Sequence, residues 1–314
     1  MFRFILFVLI LSLHLFAKEN AFDSTFSLGK WNSEISAILD LTVSQKYKDA
    51  FLKLETFKTS NANIACVLEG IIHISRYDDL GDTLSLFRAD TVLNRCKSIG
   101  YWDALRVFEI GYVQSELGHS FKGAMSTKNA AGKFEDSENT DARAFYAIYA
   151  YYMNDALNWI PFISDKREKY LKDLTFGAKN SAWFWPLFTT SLIWMHYDRK
   201  EYEIGLELAD SVLKKIPEHP VFLQIKADML YRLERYSEAA VIYESSAKNY
   251  FIRTGYSIRY FCAAANLIRI YHDMNNAEKE TEWKSVLKSE AFLKIKHWMP
   301  KSLMEDLKDK DLLD

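Results

Sequence analysis

Residues 186–219 read PLFTTSLIWMHYDRKEYEIGLELADSVLKKIPEH and residues 220–250 read PVFLQIKADMLYRLERYSEAAVIYESSAKNY. Aligned from their prolines, Pro186 meets Pro220, Met195 meets Met229, Tyr197 meets Tyr231, Tyr202 meets Tyr236 and Ser211 meets Ser245, an offset of 34 each time. Small and apolar positions follow the same register, with Gly205 matching Ala239, Leu187 matching Val221, Phe188 matching Phe222 and Leu208 matching Ile242. Self-similarity at a fixed period is the signature of one supersecondary unit stacked on copies of itself. Tyr202, Leu206, Ala209, Leu213 and Ile216, then Tyr236, Ala240, Tyr243, Ala247 and Tyr250, advance by alternating steps of four and three. That spacing gives each stretch one apolar helical face. Gly205, Ala209, Ala239 and Ala240 let neighbouring helices approach to about 8–10 Å, while Pro217 and Pro220 bracket the turn between copies.

Composition agrees with helix throughout. Only 11 glycines and 5 prolines occur in 314 residues, about 5% where roughly 12% is average, and turn-rich β architectures need more of both. Hydrophobic residues make up 49% of the chain, enough for a large core. Forty basic and 42 acidic residues leave a formal charge of -2. No global field therefore attracts nucleic acid or an anionic membrane, and neither is expected as a partner.

Residues 1–17 stand apart: Arg3 precedes an apolar run over residues 5–16, and Ala17 gives way to Lys18, Glu19 and Asn20. This is the layout of a secretory signal peptide, with an expected cut after Ala17. The apolar run is short of the roughly 20 residues a membrane-crossing helix needs. The chain is thus expected to be exported, periplasmic or associated with the cell envelope, without a membrane span after cleavage. Three cysteines are an odd number for an exported chain. Cys66 and Cys96 lie at comparable distances from a turn near Gly81, so they either pair or serve as two small buried apolar residues. Cys262, in the run Cys262-Ala263-Ala264-Ala265, reads as a close-packing residue.

Residues 18–30 read as a leader. Helix pairs follow: Ile35, Ile38 and Leu39 with Tyr47, Ala50, Leu54 and Phe57; Ile64, Val67, Leu68 and Ile71 with Leu84, Phe87 and Leu93; and residues 102–134, broken at residues 117–120. In that third pair Phe121, Ala124 and Ala131 take the places of Tyr202, Gly205 and Val212. A fourth pair joins an aromatic helix over residues 141–159, ended by Pro161, to residues 165–179. A further copy comes after an extra stretch, residues 251–260, and residues 302–314 suit a polar capping helix. The expected organisation is a degenerate helical-repeat region over residues 31–182, clear repeats over 183–290 and a cap over 291–314.

Residues 186–250 resemble the tetratricopeptide repeat family, whose unit is a 34-residue helix-turn-helix ending in proline. Leu192, Tyr197, Tyr202, Gly205, Val212 and Pro217 stand at its apolar, aromatic, small and proline positions, followed by Ala227, Tyr231, Tyr236, Ala239 and Ser246. In the last copy Leu267, Tyr271 and Leu287 do so. Lys226 stands where a leucine is expected, Phe251 where a proline closes the unit, and the turn's paired glycine and aspartate are missing. The resemblance implies an all-α fold, a right-handed superhelix of antiparallel helix pairs whose first helices line a concave groove for peptides or proteins. By matching positions, Thr190, Trp194, Tyr197, Gln224, Asp228, Tyr231, Arg269 and His272 would face that groove. The alternative is that they pack against neighbouring helices.

No pattern for catalysis, phosphate binding or metal binding emerges, so no catalytic residue, cofactor or metal is expected. His73 and His196 lie on apolar faces and read as interior residues, and Glu201, Glu203, Glu207 and Asp210 as a solvated helix face. Trp183-Phe184-Trp185-Pro186, with Trp194, Trp159, Tyr151 and Tyr152, either fill the core or stack on a sugar or lipid-like ligand. The expected function is therefore a non-catalytic, exported scaffold that holds another envelope protein. The alternative is a periplasmic binding protein for a small apolar or glycan ligand, of the kind that accompanies solute transporters. A glycan-cleaving enzyme would need a catalytic domain with a buried glutamate, for which residues 291–314 leave no room.

Overall fold

The computed structural model describes residues 32–135, 137–157, 159, 162 and 164–313. The expected signal peptide, the leader and Pro161 lie outside them. Among the described residues the chain is all-helical, with sixteen α-helices, one short 3-10 turn and no strand. In order these are α1 (Asn32–Val43), α2 (Tyr47–Lys58), α3 (Ala62–Leu80), α4 (Thr83–Arg95), α5 (Gly100–Glu116), α6 (Ser120–Phe134), α7 (Thr140–Leu157) and α8 (Arg167–Asn180). Then come α9 (Trp185–Asp198), α10 (Tyr202–Leu213), α11 (Pro220–Arg232), α12 (Tyr236–Thr254), α13 (Ile258–Asp273), α14 (Ala277–Leu287), α15 (Glu290–Ile295) and α16 (Lys301–Asp309). The described residues fall into two compact units, one within residues 32–75 and 83–192 and one within residues 76–82 and 193–313.

One turn recurs within the helix pairs. Gln45, Gly118, Lys200, Glu234 and Asn275 each adopt a left-handed backbone, with φ of 60, 83, 61, 59 and 56°. In each turn the next residue's N–H donates to the carbonyl five positions back: Lys46 to Leu41, His119 to Gln114, Glu201 to His196, Arg235 to Leu230 and Asn276 to Tyr271. This closes the last turn of the first helix by satisfying carbonyls that would otherwise end it unpaired. The glycine that suits such a conformation is present only at Gly118 among these five, so the others carry a steric cost of about 1 kcal/mol or more each.

In the first unit α5 and α6 pack closely because both carry glycine at the contact. A Cβ on Gly111 would stand 2.3 Å from Thr127 Oγ1 and 3.0 Å from the Gly123 carbonyl, and one on Gly123 would stand 2.8 Å from the Gly111 carbonyl. Gly123 thus takes the close-packing place that the repeat register assigned to Ala124, and Phe121 is exposed. The shift is one residue, because α6 starts at Ser120 and buries Gly123, Ala130, Ala131 and Phe134. Phe145 stands at the middle of an aromatic core, with ring centroids 5.5 Å from Phe134, 5.3 Å from Phe184 and 5.0 Å from Phe188. Trp183 packs 5.9 Å from Trp102 and donates its indole N–H to Ser36 Oγ at 2.7 Å. The residues 183–184 that could have stacked on a ligand are therefore core. Cys66 and Cys96 form a disulfide with a Cα–Cα separation of 5.7 Å, which decides between the two readings of that pair.

In the second unit α12 buries Ala240, Tyr243, Ala247 and Tyr250 of the face that the spacing of four and three marks, together with Ala239. By contrast, α10 buries Gly205, Ala209 and Val212, with Tyr202, Leu206, Leu213 and Ile216 half-buried beside them. The 34-residue step then fails because α12 runs on for 19 residues before Gly255 ends it at φ 65°. Ser257 caps the next helix by accepting from the Tyr260 N–H at 3.3 Å. At the chain's end, α16 turns Leu307 into a core that holds Phe261, Ala265, Ile268, Phe292, Met299 and Leu312.

Two outcomes follow for stability. Lys200→Gly relieves a left-handed non-glycine turn and is expected to raise stability by about 0.5–1 kcal/mol in urea unfolding. Cys96→Ser opens a loop with a sequence separation of 30 and is expected to cost about 3–4 kcal/mol, read as a lower melting temperature matched by reduced parent protein.

Candidate functional site

Four of the residues marked by the repeat register come together in the second unit. Tyr197 ends α9, Tyr231 ends α11, Asp228 lies one turn before it, and Arg269 is on α13. What links them is Arg232, whose Nε donates a short hydrogen bond to the Tyr197 hydroxyl. Its guanidinium lies 5.2 Å from the centroid of the Tyr197 ring and 6.0 Å from that of Tyr231. Arg269 covers the Tyr231 ring at 4.6 Å. Cations and aromatic faces thus alternate along a ladder, each contact worth about 0.5–2 kcal/mol depending on desolvation. Trp194 and Tyr202 buttress Tyr197 at 5.3 and 5.4 Å, and Tyr236 buttresses Tyr231 at 5.6 Å.

Hydrogen bonds fix the ladder's edge. The Tyr231 hydroxyl donates to Asp273 Oδ2 at 2.6 Å, and Lys310 Nζ reaches Asp273 Oδ1 at 3.2 Å and the Tyr231 oxygen at 3.3 Å. Arg269 is held by Asn266 Oδ1 at 3.1 Å and by an ion pair with Asp306 at 2.7 Å. Tyr231, Arg232, Glu234, Tyr236, Asp273 and Lys310 border an open cleft of about 400 Å³. Arg232 is exposed at its rim. The guanidinium can therefore reach a carboxylate or carbonyl of a bound chain without moving its aromatic supports.

Asp228 has a different role. Tyr243 donates to its Oδ1 at 2.5 Å. Burial pushes the carboxyl up to about 6, against the lowering effects of the Tyr243 hydrogen bond and of Arg269 and Arg232. Burial likewise pushes the Tyr243 phenol well above its usual value, so it stays protonated and donates. The other marked residues fall elsewhere. His272 is exposed and pairs with Glu280 of α14 at 3.2 Å. Gln224 is half-buried on α11, and Thr190 is half-buried in the first unit. His73 is buried, whereas His196 bonds to Glu201 at 2.6 Å.

Arg232, Tyr243, Asp273 and Lys310 were not marked by sequence reasoning. Arg232 has Asp198 as its 34-residue counterpart, so no repeat flags it. Lys310 and Asp306 come from the capping segment, which belongs to no repeat. Arg232 did have one available signal, its position next to Tyr231 at a helix end. Among the described residues no cluster of three or more histidine, cysteine, aspartate or glutamate side chains is placed to hold a metal ion.

The Asp228 environment sets a pH dependence. Its folded value, about 6, lies above the unfolded value near 3.9, so the folded state binds the extra proton between them. This group's contribution therefore favours folding as pH falls from 7 towards 4 and disfavours it above 6. Asp228→Asn mimics the protonated form and keeps an acceptor for Tyr243. The variant is expected to melt higher than the parent at pH 8, with the gap narrowing at pH 5. No protein-family model matches this chain, and no curated protein matches it.

Proposed function

We propose that the chain is an exported, non-catalytic repeat scaffold of the tetratricopeptide type, whose second unit holds a protein or peptide segment against the Tyr197–Arg232–Tyr231–Arg269 ladder. The observation that carries this reading is the ladder itself. Three successive first helices, α9, α11 and α13, contribute aromatic faces and guanidinium groups to one array. Tyrosine, tryptophan and arginine are the residues that dominate protein recognition, because they bury much area at low entropic cost and bond at their edges. The cleft beside the ladder is open and rimmed by polar groups. That suits an extended chain better than a small apolar ligand, which calls for an enclosed, mostly apolar pocket.

The Cys66–Cys96 disulfide supports the export part of the reading, since disulfides persist in oxidising compartments. Among the described residues no helix is long and apolar enough to cross a membrane.

The test is affinity capture from a cell-envelope extract by the parent, by Tyr197→Ala/Arg232→Ala and by Val241→Ser on the exposed part of α12, all three matched in helicity and melting. A protein retained by parent and Val241→Ser, and reduced about tenfold or more by the double variant, is the expected result. Retention of no protein, or equal retention by all three, overturns the proposal.

A further inference from the structure

The connection between α7 and α8 in the first unit displays large apolar side chains. Trp159 is 75% exposed and Phe162 is fully exposed. Ile160, Pro161 and Ile163, their neighbours in sequence, add no charge. Large apolar side chains as exposed as Trp159 and Phe162 are unfavourable in water and mark a surface that is covered in use.

The base of this connection is clamped. Asn154 Nδ2 donates to the Ser164 carbonyl at 3.1 Å, and Asn154 Oδ1 accepts from the Lys166 N–H at 2.8 Å. Arg167 pairs with Asp155 at 2.5 Å and with Asp165 at 2.7 Å, so one guanidinium engages both nearby carboxylates. The two ends that bracket Trp159 and Phe162 are thus held together. Phe162 also holds a left-handed backbone, φ 79°, which is rare for a bulky residue.

Charge on the adjoining helix says what covers them. Lys169, Lys172, Phe176 and Lys179 advance by three, four and three residues and share one face of α8, and Lys166 precedes them. All five are exposed, Phe176 at 51%. Among the described residues none of the four lysine side chains is ion-paired, while Lys169 lies 5.9 Å from the Tyr170 ring. Asp173 on this helix is taken by Arg143 at 2.5 Å, and Glu168, also exposed, is the one further acid beside the stripe. The total charge of -2 hides this local excess of positive charge.

From this juxtaposition we infer that the α7–α8 connection and the basic face of α8 form a peripheral docking site for an anionic lipid bilayer. Trp159 and Phe162 enter the headgroup boundary, where tryptophan is favoured. Lys166, Lys169, Lys172 and Lys179 face acidic headgroups, each contributing attraction that falls with ionic strength. α8 lies along the surface rather than across it. A scaffold docked in this way would be held at the membrane face without a spanning segment.

The test is co-sedimentation of the full chain with vesicles of phosphatidylcholine containing 30% phosphatidylglycerol, against pure phosphatidylcholine. The comparison includes Trp159→Ser/Phe162→Ser and Lys169→Glu/Lys172→Glu/Lys179→Glu, with helicity and melting checked for each. Because all substituted residues are exposed, they are expected to fold as the parent does; a single Lys172→Glu exchange, expected to weaken partition about fivefold, stands in if the triple exchange does not. Parent sedimentation with anionic vesicles only, weakened at least tenfold by either set of substitutions and by 0.5 M salt, is the expected result. Absence of sedimentation with anionic vesicles overturns the inference. So does binding that survives both sets of substitutions, as anchoring by residues 5–16 alone would give. Self-association of the parent without vesicles, lost in Trp159→Ser/Phe162→Ser, overturns it in favour of a second copy of the chain.

Discussion

The hydrogen bond that reaches back five residues across the left-handed turns at positions 45, 118, 200, 234 and 275 is the contact on which those five helix pairs depend. It ends the first helix at a fixed carbonyl and sends the chain back antiparallel, so that the small residues of the second helix meet the first. Where the turn residue is Lys200, Glu234 or Asn275, the backbone cost is met by packing on either side. Gly111 against Gly123 shows how close that packing becomes.

The same turns decide where the candidate site lies. Tyr197 and Tyr231 stand three residues before the left-handed positions 200 and 234, at equivalent places in successive pairs. Arg232 then follows Tyr231 into the turn and crosses to the Tyr197 hydroxyl of the preceding pair. The ladder is therefore a product of the repeat register combined with one residue that breaks it. Its far edge is completed by Asp306 and Lys310 from the chain's last helix and the residue just after it, whose Leu307 anchors the segment in the core.

Much of the fold was legible because burial in a helix has a period. The steps of four and three from Tyr236 to Tyr250 predict the face that α12 buries, while those from Tyr202 to Ile216 meet the buried face of α10 only at Ala209, because Gly205 and Val212 sit deepest there. Pairing was harder to read than helicity. The slip from Ala124 to Gly123 arose because the helix start moved by one residue, which no local pattern announces. The site was half legible: Tyr197, Tyr231, Asp228 and Arg269 share repeat positions, but Arg232 and Lys310 enter through long side chains and a non-repeating segment. For His272 the repeat register gave a helix position but not its partner, Glu280 of α14. The basic face of α8 was hidden by a balanced total, since net charge averages over surfaces that a partner meets one at a time.

The claim that the ladder receives a protein is tested most directly in living cells, by placing a photo-crosslinking phenylalanine analogue at Tyr197 and, in a separate variant, at Val241 on the exposed part of α12. A discrete covalent adduct from position 197, absent from position 241 and abolished by Arg232→Ala, is the result expected. No adduct from 197, or the same adducts from both positions, would contradict the proposed binding surface.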